Sequence, residues 1–225
     1  MYNVACLKHG TKYDADYVNK LFAGVKRNTT VDFLFHCFTE NPEGLNDKII
    51  PHPLPYTNVK GWWQKLFLFS GEVDIKGRVL FLDLDTLITG NIDKYITRED
   101  GFVVLRDLWS GGTNVGSAVL SFEVGKHQQI WDTFIANPEA AVKSLHPHGD
   151  QKWIQKHQAT RTYWQDLFPR ETASFKSDCR GGLSRDVKIV CFHGAPSIPE
   201  SINTTTRAQG YLIPPTPWVK DYWRT

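Results

Sequence analysis

A short apolar run that ends on two carboxylates, within residues 77–90, limits what this chain can fold into. Residues 79–82 are apolar, and Asp83 and Asp85 follow them with one leucine between. A run of this length predicts a strand buried on both faces of a parallel sheet rather than a helix. Acids at the end of a buried strand are unfavourable unless a positive group meets them. The acids either end the strand in solvent or hold a cation, and ligands bind at this end of strands in open α/β sheets.

Size and charge exclude several classes of protein. The 225 residues are enough for one domain with a substantial core. The net charge of +2 and the lack of a strongly basic run predict no nucleic-acid partner. No apolar stretch approaches the ~20 residues that cross a bilayer. Eight tryptophans fit either a large core or a surface that stacks on sugar or base rings, and core packing is favoured for most of them.

Cysteine usage indicates a reducing compartment. The four cysteines, Cys6, Cys37, Cys179 and Cys191, have no C-x-x-C spacing, which argues against a zinc site. Most lie in apolar runs and are expected to be small buried residues. The first residues lack a basic segment followed by an apolar one, so the sequence predicts no signal peptide and a cytoplasmic location.

The first forty residues follow the order strand, helix, strand. Apolar runs at 2–7 and 31–38 predict strands, and the spacing of apolar residues over 14–26 predicts a helix. This is a βαβ unit, which is typical of a nucleotide-binding half-domain. The loop after the first strand then lies at the ligand edge. There Lys8, Lys12 and Tyr13 either meet phosphates and a base or belong to a solvated loop.

The rest of the chain continues to alternate helices and strands. Further helices are predicted at 60–69, 92–96, 128–136 and 152–157, and further strands at 48–50, 101–105, 187–192 and, in a loop-rich region, 163–168 and around 175. We therefore predict a single α/β domain over residues 1–203, with a mixed, mostly parallel sheet flanked by helices. Residues 204–225 are rich in proline and aromatic residues and are expected to form an irregular arm.

Three further motifs place polar residues beside predicted elements. Asn114 leads from a glycine-rich turn into an apolar strand. Asp150 and Gln151 precede a helix, where Asp150 is also well placed to act as the N-cap. His193 and Gly194 follow the late apolar strand. A histidine at the carboxyl end of a strand is usually structural, but here it is a reasonable third ligand for a cation held by the two acids.

In this order the motifs resemble those of the GT-A glycosyltransferases, most closely family eight, which includes glycogenin and bacterial galactosyltransferases. The resemblance covers residues 2–196. It implies a Rossmann-like GT-A fold. It also implies a metal-dependent hexosyltransferase that moves a sugar from a nucleotide-diphosphate sugar, a UDP-sugar above all, to a hydroxyl group of a glycan or other acceptor.

The resemblance assigns roles residue by residue. It implies that Asp83, Asp85 and His193 bind Mn²⁺ or Mg²⁺. It implies contact with the donor nucleotide sugar for eight residues: Leu7, Lys8, Tyr13, Lys65, Asp83, Leu84, Asp85 and Gly194. It implies a place near the transferred sugar for Asp150, Gln151 and Asn114.

One position departs from the family pattern. Family-eight members often carry a lysine a few residues after the metal-binding histidine, in the form H-x-G-x-x-K-P. Here His193 and Gly194 are followed by Ala-Pro-Ser-Ile-Pro, without a lysine. We therefore expect the diphosphate to be held differently in this chain.

Two other classes of protein remain open. Residues 82–87 resemble the D-x-D-x-T signature of haloacid-dehalogenase phosphatases, in which the first aspartate is the nucleophile. That signature normally follows the first strand of its domain, whereas a complete βαβ unit precedes it here. The third class is a non-catalytic module that binds sugars or sugar nucleotides. The donor sugar, the acceptor, the anomeric outcome and the oligomeric state are not encoded in any motif above.

Overall fold

The computed structural model describes residues 1–208 and 210–225. It confirms the predicted fold class, because a seven-stranded, mostly parallel sheet carries helices on both faces. Gln209, in the predicted C-terminal arm, lies outside the described residues. Within the two described ranges, no helix is both long enough and apolar enough to cross a membrane.

Twelve strands occur among the described residues. In chain order they are β1 Tyr2–Lys8, β2 Phe33–Thr39, β3 Ile49–His52, β4 Arg78–Leu82, β5 Thr86–Ile88, β6 Val103–Arg106, β7 Val115–Glu123, β8 Thr162–Tyr163, β9 Thr172–Ser174, β10 Ile189–Cys191, β11 Thr206–Ala208 and β12 Tyr211–Ile213.

Eight α-helices and two 3₁₀ helices lie between the strands of the described ranges. The α-helices are α1 Ala15–Arg27, α2 Asp93–Ile96, α3 Gln129–Ile135, α4 Pro138–Leu145, α5 Asp150–His157, α6 Trp164–Leu167, α7 Phe175–Asp178 and α8 Ile198–Asn203. The 3₁₀ helices are Gly61–Phe69 and Pro217–Asp221.

The large sheet has the strand order β3-β2-β1-β4-β7-β6-β8. Strands β1 to β4 are parallel to one another, β7 is antiparallel to both of its neighbours, and β8 is parallel to β6. Helix α1 connects β1 and β2, as the βαβ prediction requires, with Asp14 as its N-cap. Because β1 and β4 are adjacent and parallel, their carboxyl ends meet at one edge of the sheet.

Alternating side chains of the central strands fill two separate cores. In β4, Val79 and Phe81 contact one face, which is covered by the first 3₁₀ helix, α3 and α5. Leu80 and Leu82 contact the other face, which is covered by α1, α2 and α6. All four side chains are at most 2% exposed. The apolar run that ends on the two acids is therefore a strand buried on both faces, as predicted.

Two elements differ from the sequence-based expectations. Helix α4 was not predicted, because Pro138 was interpreted as a stop signal. In the structure Pro138 occupies the first turn of α4, where no backbone donor is needed, and Asn137 caps the helix by accepting from Ala140 N. The predicted strand at 163–168 is largely wrong, because β8 ends at Tyr163 and α6 follows immediately.

The late strand β10 belongs to a second sheet with the order β5-β10-β9. It is antiparallel to β5 and parallel to β9. The side chains of this sheet form a third core together with residues near the C-terminus, including Ile213, Val219 and Trp223. Trp223 also contacts Tyr17 of α1, with the ring centroids 5.0 Å apart. The C-terminal residues therefore pack against the body of the protein.

We predict that Trp223→Ala lowers the free energy of unfolding by about 3 kcal/mol, because it removes a large side chain that is only 6% exposed. The measurement is equilibrium denaturation in urea. Trp109→Ala is the matched control, since Trp109 is 65% exposed and its loss leaves no buried cavity. Equal stability losses in the two variants would show that the packing of Trp223 does not stabilise the fold.

Candidate active site

The two acids after β4 lie at the junction of the two sheets. Asp83 N donates to Ala118 O at 2.9 Å, which keeps Asp83 in register with β7. Thr86 N and Oγ1 both donate to Asp83 O, at 3.1 and 2.6 Å, and so close a tight turn. After this turn β5 joins the second sheet, where Phe192 N donates to Asp85 O at 2.8 Å. The backbone of each acid is thus fixed by a different sheet.

Lys65 is the buried cation that meets these acids. Its Nζ lies 2.9 Å from each carboxylate oxygen of Asp83 and 3.3 Å from Oδ2 of Asp150. It also donates to Ser117 Oγ at 3.0 Å. Lys65 and Asp150 are 4% and 5% exposed. Asp150 does not cap its helix, because Gly149 is the N-cap of α5 and makes no side-chain capping bond. Its side chain instead faces the ammonium group.

The charges of this cluster are unevenly compensated. Burial alone would lower the pKa of Lys65, but Asp150 and Asp83 raise it above its ordinary value. Burial raises the pKa of Asp83 in spite of the attraction to Lys65. Burial and the charge of Asp83 raise the pKa of Asp85 to about 7. Since Lys65 already pairs with two carboxylates, Asp85 carries the least compensated negative charge.

Asp85 and His193, the predicted third metal ligand, each form a hydrogen bond with a neighbouring hydroxyl group. Tyr13 Oη donates to Asp85 Oδ2 at 3.2 Å. His193 Nε2 lies 2.7 Å from Ser174 Oγ, which leaves the other ring nitrogen for a ligand. Burial and the charge of Lys176 lower the pKa of His193, so its imidazole is neutral at pH 7. A hydroxyl partner on one ring nitrogen is the arrangement that orients a metal-binding histidine.

Two neighbouring cavities meet at these residues. The first has a volume of about 550 Å³, and its walls include ten residues that were predicted as site residues: Leu7, Tyr13, Lys65, Asp83, Leu84, Asp85, Asp150, Gln151, His193 and Gly194. The second, of about 320 Å³, extends toward Asp107 and Trp109. The two cavities share Asp83, Asp85, Ser117, Gln151 and His193. Two bound molecules could therefore approach the same polar groups from different sides.

Two predicted site residues lie apart from the walls of both cavities. Lys8 is buried, and its Nζ donates to Asn41 O at 3.2 Å. Asn114 Oδ1 accepts from Lys152 Nζ at 2.5 Å, and its amide nitrogen donates to Ser110 Oγ. Both side chains are therefore engaged elsewhere. Leu84 does border the first cavity, but it is 2% exposed and packs into the core below the acids.

Sequence reasoning missed several residues that the fold brings to the site. Ser117 is the residue of β7 that contacts Lys65, although its sequence neighbour Asn114 was predicted. Trp62 and Trp109 are 57% and 65% exposed and border the first and second cavity, whereas tryptophans were expected mainly in the core. The doublet Trp62-Trp63 was a usable signal, because only one of two adjacent residues in a helix can face the core.

The residues at the site fit a divalent cation in donor type but do not form a preassembled metal cluster. Among residues 1–208 and 210–225, no group of three or more His, Cys, Asp or Glu side chains is arranged to hold a metal ion. Lys65, Tyr13 and Ser174 hold the three predicted ligands. Those ligands are two carboxylates and a neutral imidazole, which suit Mn²⁺ or Mg²⁺. The raised pKa of Asp85 indicates charge that a cation would compensate.

No protein-family model and no curated protein matches the sequence. Solved structures do match the fold. The galactosyltransferase LgtC, crystallised with donor and acceptor sugar analogs, has a TM-score of 0.62 at 13% identity; the match covers 87% of this chain and 88% of that chain. The glycosyltransferase GlyE of Streptococcus pneumoniae TIGR4 has a TM-score of 0.63 at 11% identity, covering 88% of this chain and 56% of that chain. The predicted GT-A fold is thereby confirmed.

We predict that Lys65→Met lowers the free energy of unfolding at pH 7 by about 3 kcal/mol, because the buried carboxylate of Asp150 and the partly buried one of Asp83 lose their counter-charge. Urea denaturation measures the change. In the control, Arg170→Met removes an exposed pair with Asp186 and should change stability by less than about 0.5 kcal/mol. A loss no larger than that of the control would show that the buried pairing does not stabilise the fold.

We predict that the affinity for Mn²⁺ weakens about tenfold from pH 8 to pH 6. A carboxyl group with a pKa of about 7 is mostly ionised at pH 8 and mostly protonated at pH 6, and the proton must leave before the oxygen binds a cation. Calorimetry in buffers of different ionisation enthalpy measures both the affinity and the released proton. A pH-independent affinity in the wild-type protein, or the same pH dependence in Asp85→Asn, would contradict the assignment to Asp85.

Proposed function

We propose that this protein is a metal-dependent glycosyltransferase. It moves a sugar from a nucleotide-diphosphate sugar, a UDP-sugar in the first instance, to a hydroxyl group of a glycan or other acceptor. The observation that supports this most strongly is the pairing of Lys65 with Asp83 and Asp150, beside the unpaired Asp85, in a cavity at the carboxyl ends of β1 and β4. This group lies on a fold shared with solved glycosyltransferases.

The first cavity suits the donor. Leu7 and Tyr13 lie at the end of β1 and offer an apolar surface and a ring for the base. Asp83, Asp85 and His193 would hold Mn²⁺ or Mg²⁺, which when bound neutralises the charge of the diphosphate. Mutual repulsion between the acids and the phosphates would otherwise oppose binding.

Asp150 and Gln151 are placed to face the transferred sugar. Asp150 is held by Lys65, and Gln151 borders both cavities. In the transfer, the bond between the anomeric carbon and the phosphate oxygen breaks and its electron pair leaves with the diphosphate. The acceptor oxygen forms the new bond, and its proton passes to Asp150 if the reaction inverts the anomeric centre or to the leaving phosphate if it retains it. Asp150 also stabilises the positive charge that develops on the sugar.

The second cavity suits the acceptor, because a transfer needs both molecules at one set of groups. It shares Asp83, Asp85, Ser117, Gln151 and His193 with the first cavity. Its outer part holds Asp107, whose carboxylate accepts from Trp109 N and from Ser110 N and Oγ. The exposed indole of Trp109 offers a flat surface for a sugar ring, which supports a glycan as the acceptor.

Four free cysteines support a cytoplasmic location as part of this proposal. Cys6 and Cys37 are register partners on the neighbouring strands β1 and β2, yet they remain unpaired. Adjacent thiols of this kind are typical of proteins in a reducing compartment.

We predict that the wild-type protein binds a UDP- or GDP-sugar in the presence of Mn²⁺ and that Asp85→Ala weakens this binding at least tenfold, since loss of even an outer partner of a metal ligand lowers affinity about 10- to 100-fold. Calorimetry with a panel of donors measures it. Asp132→Ala is the matched control, because Asp132 is an exposed residue of α3. If no donor binds, or if Asp85→Ala binds as tightly as the wild type, the proposal is wrong.

Two simple assays separate the other classes of protein. Slow hydrolysis of the donor without an acceptor is expected of a transferase and not of a module that only binds. Release of phosphate from an aryl phosphate with Mg²⁺ would instead favour the phosphatase class. The arrangement of the sheet supports the transferase, because β4 follows a complete βαβ unit and pairs with the antiparallel strand β7.

A further inference from the structure

Lys176 lies beside the candidate site but belongs to no motif of the sequence. It is the second residue of α7, directly after β9. Strand β9 is parallel to β10, with Ser174 in register with Cys191. The chain segments that follow the two strands therefore emerge side by side. One carries Lys176 and the other carries His193 and Gly194.

The ammonium group of Lys176 contacts the backbone of two residues that line the first cavity. Its Nζ donates to His193 O at 2.5 Å. It also lies 3.6 Å from the point that a Cβ atom on Gly194 would occupy. Gly194 has a φ of 85°, a left-handed conformation that favours glycine and brings this bare stretch of backbone to the cavity. His193 and Gly194 both line the first cavity. The positive charge therefore lies directly behind the backbone that forms this part of the cavity wall.

The charge of Lys176 is not neutralised by an ion pair. In the described part of the chain, no carboxylate oxygen lies within ion-pair distance of its Nζ, whereas Lys65 has two such partners. The side chain of Lys176 is partly buried. A partly buried ammonium group without an ion pair favours an anion nearby.

We propose that Lys176 binds the diphosphate of the donor from the side of the cavity formed by His193 and Gly194. The inference rests on the proposed function, because it takes the donor to be a nucleoside diphosphate sugar. It accounts for the missing lysine after His193-Gly194, since an ammonium group from α7 arrives at the same stretch of backbone. Lys65 is fixed between two acids, and Lys12, which also lines the cavity, lies over the ring of Tyr13 on the side proposed for the base. Lys176 is the ammonium group that contacts the backbone of His193 and Gly194.

A binding series with UDP, UMP and uridine tests this role. In Lys176→Met the affinity for UDP in the presence of Mg²⁺ should fall about tenfold, which is the effect of one charge-assisted contact. The affinity for uridine should stay within twofold of the wild type, because the base is bound at the other end of the cavity. Lys176→Arg should retain most of the affinity for UDP, since it keeps the charge. Lys126→Met, at an exposed position, is the matched control.

The same series distinguishes a phosphate contact from a structural role. If Lys176 only fixes the backbone at His193, its replacement should weaken the binding of Mg²⁺ without nucleotide as much as it weakens the binding of UDP, Lys176→Arg should not rescue the loss, and the inference is wrong. Unchanged affinity for UDP in Lys176→Met also overturns it, while leaving the proposed function intact. If the wild-type protein binds no nucleoside diphosphate at all, the proposed function and this inference are both wrong. Thermal unfolding without nucleotide reports whether each variant is folded.

Discussion

The ion pairs of Lys65 with Asp83 and Asp150 are the interaction on which the rest of the site depends. They join the first 3₁₀ helix, the end of β4 and the start of α5, three elements that are far apart in sequence. An ammonium group at this depth requires carboxylate partners, and carboxylates at this depth require an ammonium group. The pairing leaves Asp85 as the acid of this turn without an ion pair, and a cation would compensate its charge.

Much of the fold was predictable, because the spacing of apolar residues along the sequence indicates where strands and helices form. Both faces of β4 are buried, so its apolar run is continuous, and the amphipathic pattern and N-cap of α1 lie within fourteen residues. Helix α4 was missed because proline disrupts the interior of a helix but is favourable in its first turn, where Pro138 lies. The sheet that holds β10 was unpredictable for a different reason: its three strands have three residues each, and nothing local specifies their partners.

The site was only partly predictable, because local patterns place residues at a sheet edge but do not orient side chains. Asp83, Asp85 and Asp150 come from strand ends and a helix start, which sequence patterns locate well. Asn114 was expected at the site, yet Lys152, 38 residues further on, holds its side chain elsewhere. Lys176 was overlooked because its importance comes only from the parallel pairing of β9 with β10. Contacts between distant segments decided both outcomes.

The tight turn at Asp83–Thr86 connects the candidate site to the apolar cluster formed by the C-terminal residues. Its exit strand, β5, contributes Leu87 to the same apolar cluster as Val190, Val219 and Trp223. The relative placement of the acidic turn and the imidazole is therefore set in part by aromatic packing that touches neither of them. Substitutions at C-terminal positions that line neither cavity would accordingly disturb the candidate site, and so would a shortened C-terminus in a recombinant version.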